Sequence, residues 1–140
     1  MSGYKNVLVA VDLSEASAQT VGKAVQLAAS WGATLHLCHV IEPMYYHGYP
    51  YVAEFETALI ENAEAELKKM GRRFNIPDAC LKIGSGSVKA ELIEISKELN
   101  IDLIMVGRHG HGGLARLLGS SASAIVHGAS CDVLVMHTEN

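Results

Sequence analysis

The chain has 140 residues, 49% of them hydrophobic and 19% charged. That balance builds a packed core and excludes a disordered chain. The formal net charge of −4 speaks against nucleic acid or an anionic membrane as the main partner.

The N-terminal stretch MSGYKNVLVAVD carries one lysine and an apolar run too short for a secretion signal or a membrane span. The expectation is one cytoplasmic domain spanning residues 1–140. Residues 6–11, NVLVAV, are β-branched and nearly continuous in apolar character, the pattern of a strand covered on both faces. Asp12-Leu13-Ser14 breaks the run, and Ser14 and Ser17 are candidate N-caps. The helix after them turns Val21, Ala24, Val25 and Ala28 inward and closes at Gly32, a natural C′ residue. Strand two is residues 34–40, TLHLCHV. Its alternation puts Leu35, Leu37 and His39 on one face and His36, Cys38 and Val40 on the other.

Residues 42–51, EPMYYHGYPY, make a long connection, either a tyrosine-rich surface flap or a lid over a ligand. A helix over residues 52–73 carries the apolar stripe Phe55, Leu59, Ala63, Leu67, Met70 and Phe74, with its glutamates facing solvent. Asn75-Ile76-Pro77 stops it. Strand three is residues 80–83, and Gly84-Ser85-Gly86-Ser87 turns the chain. Ser87 caps a helix whose inward face is Val88, Leu92, Ile95 and Leu99, ending at Asn100. Strand four is residues 101–106. A last helix covers about residues 119–127, with Gly128 beyond it, and strand five is residues 132–137, DVLVMH. Cys38, Cys80 and Cys131 form no Cys-x-x-Cys pair and read as reduced core thiols. Strands alternating with helices imply an α/β fold with a parallel open sheet and helices on both faces. Ligands of such sheets lie beyond the carboxyl ends of the strands, where strand order switches.

The stretch 106–126, VGRHGHGGLARLLGSSASAIV, leaves strand four at that end. Glycines let backbone N–H groups approach a ligand closely, and a helix start beside them adds free N–H groups and a positive dipole end. The combination is a cradle for phosphate. His109 and His111 suggest a metal, with His39 and Asp12 as possible partners, but spacing places no further ligand. A nucleophile elbow, a Walker A lysine and paired catalytic carboxylates are all missing from the sequence, so the expectation is no enzyme, at most slow ATP hydrolysis.

The segments NVLVAVDLSEAS and DLIMVGRHGHGGLARLLGSSASAIVHGASCDVLVM resemble the universal stress protein family, and the resemblance covers the whole chain. It implies a five-stranded parallel Rossmann-like sheet in the order 3-2-1-4-5, usually in a dimer. The nucleotide-binding branch of the family is similar to Gly-x2-Gly-x9-Gly-(Ser/Thr). Gly107, Gly110, Gly119 and Ser120 supply each element here, with a spacer of eight residues between Gly110 and Gly119. A loop absorbs such a deletion, whereas a helical turn would rotate the residues beyond it by about 100°.

The resemblance further implies ATP with Mg²⁺ as ligand. Asp12 would face the ribose or a phosphate-bound Mg²⁺; alternatively it caps the first helix, since Asp12-x-x-Glu15 has capping-box spacing. The Val40 backbone would meet the adenine edge, and Ala10 and Val11 would form the floor. Gly107 and Gly110 would wrap the ribose and phosphates, with Val106 counted in the same nucleotide-binding set. Gly119, Ser120 and Ser121 would donate to the outer phosphates, and Arg108 and Arg116 would add charge. The expected role is that of a stress-response regulatory module. Its rivals are a nucleotide-free dimeric interaction protein with an unknown protein partner and, less in keeping with the residues, an adenylyl-transfer enzyme. Dimerisation through strand five, from Asp132 to His137, would pair an apolar sheet edge.

Overall fold

The structure is a computed structural model that describes residues 3–41, 53–107 and 126–137, with side chains from residue 57 onward in the second stretch. Its elements run β1 (Asn6–Ala10), α1 (Glu15–Trp31), β2 (Thr34–Ile41), α2 (Ala53–Arg73), a 3₁₀ turn (Asp78–Cys80), β3 (Leu81–Ser85), α3 (Val88–Glu98), β4 (Leu103–Gly107) and β5 (Asp132–Met136). The five strands are parallel and ordered β3-β2-β1-β4-β5. The expected fold class and strand order are those found.

The sheet separates two apolar layers. Val7, Val9, Val11 and Leu37 pack with Ala18, Val21 and Ala24 of α1 and Leu67 and Met70 of α2 on one face. Leu8, Cys38, Ile104 and Val106 pack with Leu92 and Ile95 of α3 on the other. This division follows from right-handed crossovers. The chain steps from β1 to β2 to β3 in one direction, placing α1 and α2 on the same face. It then returns past β1 to β4, placing α3 on the opposite face. Strand β4 is buried along its whole length, as its unbroken apolar run requires.

Local chemistry sets the helix ends. Ser14 is the N-cap of α1, accepting from the Ser17 N–H, and Ser87 caps α3, accepting from the Ala90 N–H. Each helix closes through a left-handed residue: Gly32 at φ 68°, Asn75 at φ 58° and Asn100 at φ 53°. The returning amides are Ala33 to the Ala28 carbonyl, Ile76 to Gly71 and Ile101 to Ser96, each at 2.8 Å. This is the arrangement glycine and asparagine favour at C-termini.

Several expected boundaries shift, among them the end of β2, which extends to Ile41. β1 ends at Ala10 rather than Val11. β4 starts at Leu103 and takes in Gly107, because Asp102 turns aside and its carboxylate accepts from the Lys5 and Asn6 amides at 2.8 and 2.9 Å. β3 starts at Leu81, after a 3₁₀ turn closed by the Cys80 N–H on the Pro77 carbonyl, and continues through Gly84 and Ser85 into what reads as a turn. β5 stops at Met136 rather than His137. In α2, Leu59 is 49% exposed and half-buried Ile60 takes its place ahead of Ala63, Leu67 and Met70. The expected connection at 42–51 and most of the expected last helix lie outside the described residues, although 126–128 are helical.

Candidate functional site

The strand order reverses between β1 and β4, and the carboxyl ends of β1, β2 and β4 meet there. Ala10 is the last residue of β1, in register with Cys38 of β2 on one side and Val106 of β4 on the other. Val11 comes next, buried, and donates its N–H to the Cys38 carbonyl at 2.9 Å. Val40 lies two residues past Cys38, half-buried against the α3-side layer and in register with Gly84. Val106 and Gly107 end β4 and are buried. The sheet thus brings together Ala10, Val11, Asp12, Val40, Val106 and Gly107. Arg108, His109, Gly110, His111, Arg116, Gly119, Ser120 and Ser121 lie outside the described residues.

Asp12 is the polar centre of this edge. Its Oδ1 accepts from the Ser14 N–H at 2.9 Å, from the Ser17 hydroxyl at 2.5 Å and from the Ser14 hydroxyl. In return the Asp12 N–H donates to Ser17 Oγ at 2.9 Å. The capping-box alternative is thereby corrected in detail. Ser14, not Asp12, holds the N-cap, and Asp12 braces the cap from two residues upstream. Leu13, between them, adopts φ 68°, a conformation a leucine takes only when its surroundings hold it there. The amino end of α1 and its positive dipole therefore face the switch point, held by a carboxylate and two hydroxyls.

Two side chains that sequence reasoning leaves out of the nucleotide site stand beside it. His39 contacts the Val11 carbonyl through Nδ1 at 2.8 Å. A carbonyl oxygen only accepts, so Nδ1 carries the proton in this bond. Glu91, in the first turn of α3, lies against Gly84, where an added Cβ would come within 3.0 Å of its Oε2. A glycine inside a strand marks such a close approach, and that was the available signal. Cys38 is buried between these groups. Burial pushes its thiol up to about 12, with the Glu91 charge adding to the effect.

Among the described residues no group of three or more His, Cys, Asp or Glu side chains is arranged to hold a metal ion. Cys38, Cys80 and Cys131 are free thiols. No helix among the described residues is long and apolar enough to cross a membrane.

Residues 3–137 match the model of the universal stress protein family. Universal stress protein A homolog 1 of Coxiella burnetii is 43% identical over 138 residues, covering 95% of this chain and 96% of that protein. Universal stress protein A homolog 2 of the same organism is 37% identical over 141 residues, covering 97% of each. Among solved structures, a universal stress protein in complex with cAMP is 28% identical with a TM-score of 0.68, covering 99% of this chain and 100% of that one. Universal stress protein UspA from Lactobacillus plantarum is 27% identical with a TM-score of 0.75, covering 97% and 99%. With the strand order, the switch-point edge and these relatives in agreement, the chain belongs to the universal stress protein family.

Proposed function

We propose that this protein binds an adenine nucleotide, ATP with Mg²⁺, at the carboxyl ends of β1, β2 and β4, and acts in the cytoplasm as a regulatory module of the stress response. The observation that carries this reading is the termination of the β1–β2 ladder at Ala10 and Cys38, which leaves the Val40 backbone at the open edge of the switch point. The similar structure solved in complex with cAMP supports an adenine-containing ligand. In this reading Ala10 and Val11 form the floor, and Val40 meets the base through its backbone. Val106 and Gly107 lead into the stretch that would supply Arg108, Gly110, Gly119, Ser120 and Ser121 to the ribose and phosphates.

Mg²⁺ would neutralise phosphate charge when bound. Asp12 Oδ1 already takes amide and hydroxyl donors, so the ion would be held through phosphate oxygens and water, with Asp12 reaching it indirectly. Catalysis beyond slow hydrolysis is not part of the reading. Calorimetric titration with ATP, ADP and AMP, with and without Mg²⁺, tests it. Saturable binding weakened by Asp12→Ala is expected, and no binding of any of the three at millimolar concentration overturns it.

One observation favours a second reading. The Asp12 carboxylate is engaged in bracing α1, a role that needs no ligand. On that reading the chain is a nucleotide-free interaction protein that dimerises through β5, whose Leu134 and Val135 are 37% and 43% exposed. A dimer that persists while every nucleotide fails to bind selects it.

A further inference from the structure

The β1–β2 ladder stops one rung short of what its register allows, and a side chain occupies the place of the missing rung. The Val11 N–H donates to the Cys38 carbonyl, and on the other edge of β2 the Gly86 N–H donates to the Ile41 carbonyl, both at 2.9 Å. Backbone groups of successive residues in a strand point to opposite neighbours. Cys38 therefore faces β1, Ile41 faces β3, and Val40 directs its N–H and C=O toward β1. The next rung would join the Val40 N–H to the Val11 carbonyl. Among the described residues that bond is not made. The Val11 carbonyl accepts instead from His39 Nδ1 at 2.8 Å. His39 shares its strand face with Leu35 and Leu37, the side covered by α1 and α2. Its imidazole thus draws the carbonyl toward that side, out of the plane in which Val40 would meet it. Beyond Val11 the chain leaves the sheet through Leu13 at φ 68°.

We infer that His39 is a positioning residue for base recognition. By holding the Val11 carbonyl it ends the ladder and leaves the Val40 N–H to a ligand. This rests on the nucleotide reading above and sharpens it. The Val40 N–H, with the Val40 carbonyl beside it, selects a base with an acceptor nitrogen next to a donor on its pairing edge. Adenine presents one at N1; hypoxanthine and guanine present an N–H there, which opposes the amide donor to donor. The site is therefore selective for adenine over its deaminated counterpart, and His39 maintains that selectivity without touching the base.

Two measurements test this on the full-length wild type, His39→Leu and His39→Asn. In amide hydrogen exchange of the ligand-free protein, the wild-type Val40 amide exchanges at least about tenfold faster than the ladder amide of Val11. In His39→Leu the freed Val11 carbonyl captures the Val40 amide and slows its exchange about tenfold, the scale of one hydrogen bond. His39→Asn, whose Nδ2–H can stand in for the imidazole donor, restores the fast rate. In binding, the affinity ratio of ATP to inosine triphosphate falls about tenfold in His39→Leu and recovers in His39→Asn. A wild-type Val40 amide as protected as that of Val11 overturns the inference, and this comparison needs no variant to fold. So does a His39→Leu protein with unchanged exchange and an unchanged ratio. If neither triphosphate binds the wild type, the nucleotide reading falls together with the base preference, and the exchange arm alone decides whether His39 ends the ladder.

Discussion

Leu13 is held at φ 68° between the residue that braces α1 and the residue that caps it. Such a conformation costs roughly 1–2 kcal/mol for a non-glycine residue, and the ring of bonds among Asp12, Ser14 and Ser17 opposes it. Ser17 is buried and bonded to Asp12 in both directions. Ser17→Ala therefore leaves the Asp12 amide without its acceptor and takes one of several donors from the Asp12 carboxylate, and urea unfolding should show a loss of about 1–3 kcal/mol. His36 is the opposite case, since its buried Nδ1 has no partner among the described residues. Burial, with the Lys82 charge adding, holds its imidazole below the usual 6.5. With the folded value depressed, the neutral ring favours the fold above about pH 6.5, and that contribution is lost as pH falls through the folded value. His36→Leu should flatten this acid limb of stability below about pH 6.5 and leave stability at pH 8 equal or higher, as thermal unfolding across pH will show. The Cys38 thiol, pushed up to about 12, should resist iodoacetamide at pH 8 in the native protein and react once the chain is unfolded, as read by peptide mass.

At the scale of elements, α2 is longer than the strands it covers. Its 21 residues span about 31 Å, against about 17 Å for the five residues of β3. An end of the helix therefore overhangs the sheet, and Leu59 stays exposed on it although its spacing fits the stripe. Leu67→Ala should cost about 2–4 kcal/mol and Leu59→Ala less than about 0.5 kcal/mol, compared by denaturant midpoint. This contrast marks what a sequence can carry. Helix ends were legible at Ser14, Gly32, Ser87 and Asn100 because caps are made by neighbours in the chain. Strand ends were not, because distant segments set them. Asp102 leaves β4 to bind the Lys5 and Asn6 amides, and Gly84 stays in β3 because it pairs with Val40 of β2. The same holds at the candidate site. Asp12 and Val40 were marked by the family resemblance, but the role of His39 depends on a carbonyl 28 residues away, and no periodicity points to it.

For the molecule as a whole, the order β3-β2-β1-β4-β5 leaves β3 and β5 at the edges of the described sheet. On β5, Leu134 and Val135 remain partly exposed beside an edge that no other described strand pairs. If two copies join there, Val135→Lys should convert a dimer to a monomer in analytical ultracentrifugation at micromolar concentration, since a charge on an edge strand opposes pairing. The central position of β1 has a kinetic consequence. One flank pairs with β2 soon after it in the chain, but the other waits for β4, and the Asn6 amide reaches its partner Asp102 across 96 residues. Closing so distant a pair is slow. During synthesis β1 and β2 can zip together while the opposite flank of β1 stays bare until β4 has cleared the ribosome. Nascent chains arrested before residue 103 should therefore be cut readily by protease, and chains arrested well beyond residue 137 should resist. Substitutions at the β1–β4 seam should then slow refolding and not only hasten unfolding.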